Sequence, residues 1–200
     1  GTDEESGWAD MDYYFAHVGL PKPDFGFSPD AEFPIINGEK GNITEYLHFD
    51  GENDGDFVLH SLSGGLRVNM VPESGKVVFS GNLSLAELQE RLEAFTAENP
   101  VTARLTEENG QFHLQVIGKS AHGASPASGI NGVTYLANFL SQFAFAGTAK
   151  NYLHIAGQVI HKDHLAAATG VAYVDEKMGE LTMNAGVFSF DKASSDNTIA

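Results

Sequence analysis

Between residues 43 and 117 the chain reads as short alternating runs of apolar and polar residues separated by turn text, and this pattern restricts the fold more than any other feature. Ile43-Thr44-Glu45-Tyr46-Leu47-His48-Phe49 alternates as a half-buried strand does. A polar, glycine-rich loop over residues 50–56 leads to further strands at 57–62, 66–71 and 76–81. Ser84 is an N-cap, and Glu87 three residues on completes a capping box for a helix over 85–97. Leu85, Leu88, Leu92 and Phe95 form its apolar stripe. Residues 101–105 and 112–117 then pair as a hairpin, with Asn109-Gly110 as the turn signal. A small-residue loop (118–129) opens onto an apolar helix over 130–145, followed by helical readings at 152–159 and 164–168 and a strand at 181–190. Strands joined by hairpins rather than by strict β-α-β units predict an α+β fold, with a largely antiparallel sheet and helices on one face.

The first forty residues have a different texture. Trp8, Met11, Asp12, Tyr14 and Phe15 recur at helical spacing, so residues 7–17 read as a short helix that Gly19-Leu20-Pro21-Lys22-Pro23 stops. A short strand at 24–27 runs into the turn Ser28-Pro29-Asp30, and Asn37-Gly38-Glu39-Lys40-Gly41 marks a boundary. Two domains are expected: residues 1–37 and residues 38–200. With 42% apolar residues the chain can bury a core, and with no cysteine it has neither disulfides nor thiolate metal ligands, which fits a cytoplasmic protein. A net charge of −16 argues against nucleic acid and anionic membrane surfaces as partners. No run approaches the ~18 apolar residues of a membrane span. The chain begins without Met and ends on the strand-like Asn197-Thr198-Ile199-Ala200, so it is expected to be an internal piece of a larger protein.

Several side chains invite chemistry. In a co-catalytic metal site one carboxylate holds metal while its neighbour accepts a proton, and Glu4-Glu5 can diverge to do both. The same text, from Thr2 to Glu5, also spells a helix capping box. Asp30 sits in turn text, where an Asp also bonds its own backbone. His122 lies in a loop of Gly, Ala and Ser, and Asn69 ends a strand, where Asn is often a turn former. The spacing of Gly118 and Gly123 resembles a phosphate loop, but Ala124 stands where its Lys must be. His154, His161 and His164 fall at i, i+7 and i+10, which reads as a solvated helical face before it reads as a metal site.

The text Gly1-Thr2-Asp3-Glu4-Glu5-Ser6-Gly7-Trp8, then Asp12-Tyr13-Tyr14-Phe15, then Phe27-Ser28-Pro29-Asp30-Ala31-Glu32-Phe33-Pro34 resembles the PepV-type bacterial dipeptidases. These belong to the zinc metallopeptidase family of aminoacylase and carnosinase. The likeness resumes at Asn69-Met70-Val71-Pro72, at Gly118-Lys119-Ser120-Ala121-His122-Gly123 and at Gly129-Ile130-Asn131-Gly132. The resemblance implies that Glu4 is the general base, Glu5 a ligand of one metal ion and Asp30 a ligand of the other, the ions being zinc or manganese. It implies that His122 donates to the developing oxyanion or to the substrate carboxylate, and that Asn69 contacts the dipeptide substrate. Residues 1–37 would be a remnant of an α/β catalytic domain, and residues 38–200 a lid with ferredoxin-like lobes in a monomer or lid-mediated homodimer. The family's upstream His-x-Asp motif, bridging Asp, downstream His and carboxylate-gripping Arg have no counterpart here, so the chain alone is expected to be inactive without the remainder of its catalytic domain. An N-acyl amino acid amidohydrolase of the same family and a non-catalytic dimerisation module are the alternatives.

Overall fold

The computed structural model describes residues 7–19, 21, 24–25, 34–53 and 55–200. The chain divides into two compact units, Gly1–Glu39 and Lys40–Ala200. In the first, Trp8 adopts a left-handed conformation (φ 65°) and precedes helix α1 (Ala9–His17), where Tyr13 and His17 stack at 4.1 Å. None of the residues of α1 is buried.

The second unit is mixed α and β. Its strands are β1 (Leu47–Phe49), β2 (Phe57–Gly64), β3 (Met70–Val71), β4 (Ser74–Gly81), β5 (Thr102–Glu108), β6 (Gln111–Ile117), β7 (Ala121–His122), β8 (Val174–Asp175), β9 (Gly179–Glu180), β10 (Phe188–Asp191) and β11 (Asn197–Ile199). Seven of these form one sheet in the order β1-β11-β10-β2-β4-β6-β5, and every pairing in it is antiparallel. The β5–β6 hairpin closes on Asn109 (φ 53°) and Gly110 (φ 75°), the pair of positive φ angles that a tight hairpin with right-handed strand twist requires.

Strand periodicity sorts the two faces of this sheet. Phe190, Leu62, Val77 and Leu114 lie in one row across four strands, and Leu59, Phe79 and Phe112 in the next. All seven are buried in one cluster with residues from three helices, α2 (Leu85–Glu98), α3 (Gly132–Leu140) and α4 (Gly147–His154). The opposite face carries polar rows such as Ser63, Lys76, Gln115 and Arg104. Period-2 alternation, rather than overall composition, therefore decides which face receives the helices.

Helix α2 starts as its text requires. Ser84 Oγ accepts from Glu87 N, and Glu87 Oε2 accepts from Ser84 N at 3.0 Å, so two otherwise orphaned donors are satisfied. The hydrogen bonds from the Ser84 side chain and backbone hold the Glu87 carboxyl below its usual range. Leu88, Leu92 and Phe95 enter the core, each such burial being worth about 1.5–3 kcal/mol, while Leu85 in the first turn stays 38% exposed.

Five expected elements differ. Of the strand read at 43–49 only β1, three residues long, forms. The strand at 66–71 survives only as β3, because Met70 N turns back to Arg67 O. The helix at 130–145 contracts to α3: Asn131 caps its start through Val133 N and Thr134 N, and the chain turns at Ser141. Residues 164–168 are turns rather than helix, since Lys162 and Ala166 hold positive φ and the Asp163 carboxylate accepts from Ala167 N and Ala168 N. Of 181–190 only the end is strand; Leu181, Met183, Gly186 and Val187 instead donate to Tyr173, His164 and, for the last two, Ala200. Removing the N-cap tests the local account: Ser84→Ala should lower the unfolding free energy by about 1 kcal/mol, read by urea denaturation, with the slope of the transition unchanged.

Candidate functional site

Three stretches far apart in sequence meet beside the sheet. Strand β3 pairs with β7 in a two-residue antiparallel ladder in which Met70 opposes His122 and Val71 opposes Ala121. Gly123 N extends the ladder by donating to Asn69 O at 2.6 Å. Below it, Gly118 N donates to Glu73 O at 2.7 Å and Gly132 N to Pro72 O at 3.0 Å. Ser120 Oγ donates to Val71 O, and Lys119 and Ile130 exchange backbone bonds across the base of the loop. The text 69–72 is thus bracketed by 118–123 on one side and by 129–132 on the other.

Two glycines allow this approach. A Cβ on Gly123 would lie 2.9 Å from the Asn69 carbonyl carbon and oxygen, and one on Gly132 would lie 2.5 Å from Glu73 O. Both distances are inside real contact limits, so any side chain there would pry the strands apart.

The ladder brings the backbone of Asn69, in the turn that enters β3, next to that of His122, the outer residue of β7; Met70 is the residue directly opposite His122, and Asn69 faces Gly123. His122 is exposed, and its Nδ1 accepts from Ala124 N at 3.1 Å. A ring nitrogen that accepts cannot carry hydrogen, so in the neutral ring the proton is on Nε2, at the far end of the side chain. The loop therefore presents a directed N–H donor. Glu4, Glu5 and Asp30 lie outside the described residues. Among the described residues no group of three or more His, Cys, Asp or Glu side chains converges as metal ligands.

His154, His161 and His164 do not share a helical face: His154 ends α4, His161 and His164 lie in the turns after it, and the first two have local partners. His154 Nδ1 meets Gln158 Oε1 at 2.9 Å, and His161 Nδ1 meets Thr134 Oγ1 at 3.1 Å. Burial, with the Lys162 and His164 charges adding to it, lowers the His161 pKa to about 4. Its ring stands edge-on to Tyr135, over which Lys162 Nζ also lies at 5.1 Å. A half-enclosed cleft beside the ladder is lined by Val71, Asn131, Tyr135, Lys162, His164 and Asn184. Asn184 was not singled out by the sequence, because it stands in apolar and small-residue text with no motif around it.

No protein-family model matches the chain. Among curated proteins, it is 38% identical over 196 residues to the Beta-Ala-Xaa dipeptidase of Lactobacillus delbrueckii subsp. lactis. It is 36% identical over 196 residues to a Bacillus subtilis protein provisionally named dipeptidase YtjP, and 33% identical over 197 residues to one provisionally named dipeptidase in Staphylococcus epidermidis. These matches cover 95–96% of this chain and 41% of each relative, so the chain spans well under half the length of the curated relatives it matches.

The ring geometry of His122 makes a direct prediction. In nitrogen-15 NMR spectra of the neutral ring, His122 should show the Nε2–H tautomer; the Nδ1–H tautomer would mean that the Ala124 contact is not formed.

Proposed function

We propose that this chain is part of a metal-dependent dipeptidase, supplying its base, one ligand to each of two metal ions, and the lid that closes over the substrate. The observation that carries this reading is the β3–β7 ladder: it joins the Asn69 turn to the strand of an exposed His122 whose Nδ1 is engaged by Ala124 N, in a chain whose relatives are named dipeptidases along nearly its whole length. The name of the Lactobacillus relative makes β-alanyl dipeptides the first substrates to try.

In this reading residues 38–200, with their ferredoxin-like lobes, are the lid, and residues 1–37 belong to the catalytic domain. Glu5 and Asp30 would each hold one of the two ions, zinc or manganese, with the remainder of the catalytic domain supplying the other ligands. Two such ions would supply the Lewis acidity that makes a water nucleophilic near neutral pH. Glu4 accepts the proton of the attacking water and returns it to the leaving amine. His122 donates its Nε2–H toward the carbonyl oxygen as that oxygen gains charge, a role in which a donor fixed beforehand is most effective. Asn69 holds the substrate from the same side. The chain alone is inactive, because the metal site needs ligands from every side. The whole enzyme is a monomer or a lid-mediated homodimer in the cytoplasm.

The test is hydrolysis of β-alanyl-histidine by the full-length protein with added zinc or manganese, compared with its Glu4→Gln variant. The reading predicts activity in the parent and a fall of at least about 100-fold in kcat in the variant, with metal content unchanged. No cleavage of any free dipeptide, with turnover of N-acyl amino acids instead, would replace dipeptidase with deacylase. An unchanged rate in the variant would remove Glu4 as the base.

A further inference from the structure

The hydrogen bonds around Asn69 point to a residue outside every motif. Asn184 Nδ2 lies 2.9 Å from Val68 O and 2.9 Å from Met70 O, the carbonyls on either side of Asn69. One amide nitrogen carries two hydrogens, so a single side chain satisfies both carbonyls and fixes the turn between them. The flipped amide would set Oδ1 against two carbonyl oxygens, so electrostatics allows only this orientation.

The segment holding Asn184 is itself anchored. Ala185 O accepts from Asn131 Nδ2 at 2.9 Å, and the Asn131 side-chain oxygen caps α3. Gly186 N donates to Ala200 O at 2.7 Å, and a Cβ on Gly186 would come within 2.6 Å of Val68 O and 2.7 Å of Arg67 O. Residues 184–186 therefore join the Asn69 turn to the start of a core helix. Gly123 grips the Asn69 peptide from the opposite side through Asn69 O.

We propose that Asn184 is a positioning residue for substrate binding: it acts through Asn69, fixing the 67–70 turn from which the Asn69 side chain leaves. The inference rests on the reading of Asn69 as a substrate contact. Asn184 need not touch substrate. Its two donors replace what a longer strand ladder would otherwise provide, since β3 and β7 pair over only two residues each.

A double-variant cycle in the full-length protein tests this, with β-alanyl-histidine as substrate and thermal melting as the check on folding. Asn184→Asp is nearly isosteric but sets a carboxylate oxygen against the two carbonyls. It should lower kcat/KM about 10- to 100-fold, mainly through KM, as loss of a supporting hydrogen-bond partner typically does. Asn69→Ala should cause a loss of the same kind, and the double variant should be no worse than Asn69→Ala alone, because residues acting through one another do not add. If the Asp variant fails to fold, Asn184→Ala removes the donors without adding charge and carries the same cycle. Equal losses in both backgrounds, or no loss from either Asn184 variant while Asn69→Ala is impaired, would overturn the positioning role and leave the Asn69 reading standing. Full activity in Asn69→Ala would remove that reading, and the inference with it.

Discussion

The contact on which the candidate site depends is the 2.6 Å hydrogen bond from Gly123 N to Asn69 O. It joins two loops that share no long strand, and it forms only where neither backbone carries a side chain in the gap. The ladder that it extends is two residues long, too short to hold itself together against the entropy of ordering two loops. Its rigidity has to come from elsewhere. Below the ladder, Gly118 and Gly132 donate to the carbonyls of Glu73 and Pro72, at the point where β3 hands over to β4. Strand β4 lies in the interior of the sheet, paired along its length on both sides, and so transmits the order of the core to the site.

That core is ordinary in its physics. One sheet face supplies the Leu62–Val77–Leu114 and Leu59–Phe79–Phe112 rows, and α2, α3 and α4 close over them. Helix α3 has a second duty. Its N-cap residue Asn131 uses its oxygen to start the helix and its nitrogen to hold Ala185, which places Asn184 against the Asn69 turn. The Asn131 side chain thus adds a second link between packing and site, beside the backbone bonds at the start of β4.

What was legible in the sequence was local. The Ser84–Glu87 capping box, the Asn109-Gly110 hairpin and the alternation of β6 each depend on residues within a few positions of one another, and each is realised. Residues 181–187 misled because their alternation is satisfied by loop carbonyls and Ala200, not by a neighbouring strand. The turns at 164–168 misled because Asp163 offers its carboxylate to backbone N–H groups that a helix would have used. For the site, motif text singled out Asn69 and His122, but nothing local indicates that they share a ladder, or that Asn184, 115 positions after Asn69, completes it. The separate roles read for Glu4, Glu5 and Asp30 rest on the resemblance, and these residues lie outside the described residues.

The bond between the Asn69 turn and the His122 strand needs no substrate to form. Native-state amide hydrogen exchange of Gly123, measured by NMR without ligand, tests it most directly. A preformed ladder leaves the Gly123 amide protected on the scale of paired amides in β4 and β6, such as those of Val77 and Leu114. Exchange at the rate of an unpaired loop amide, with the sheet still protected, would contradict it.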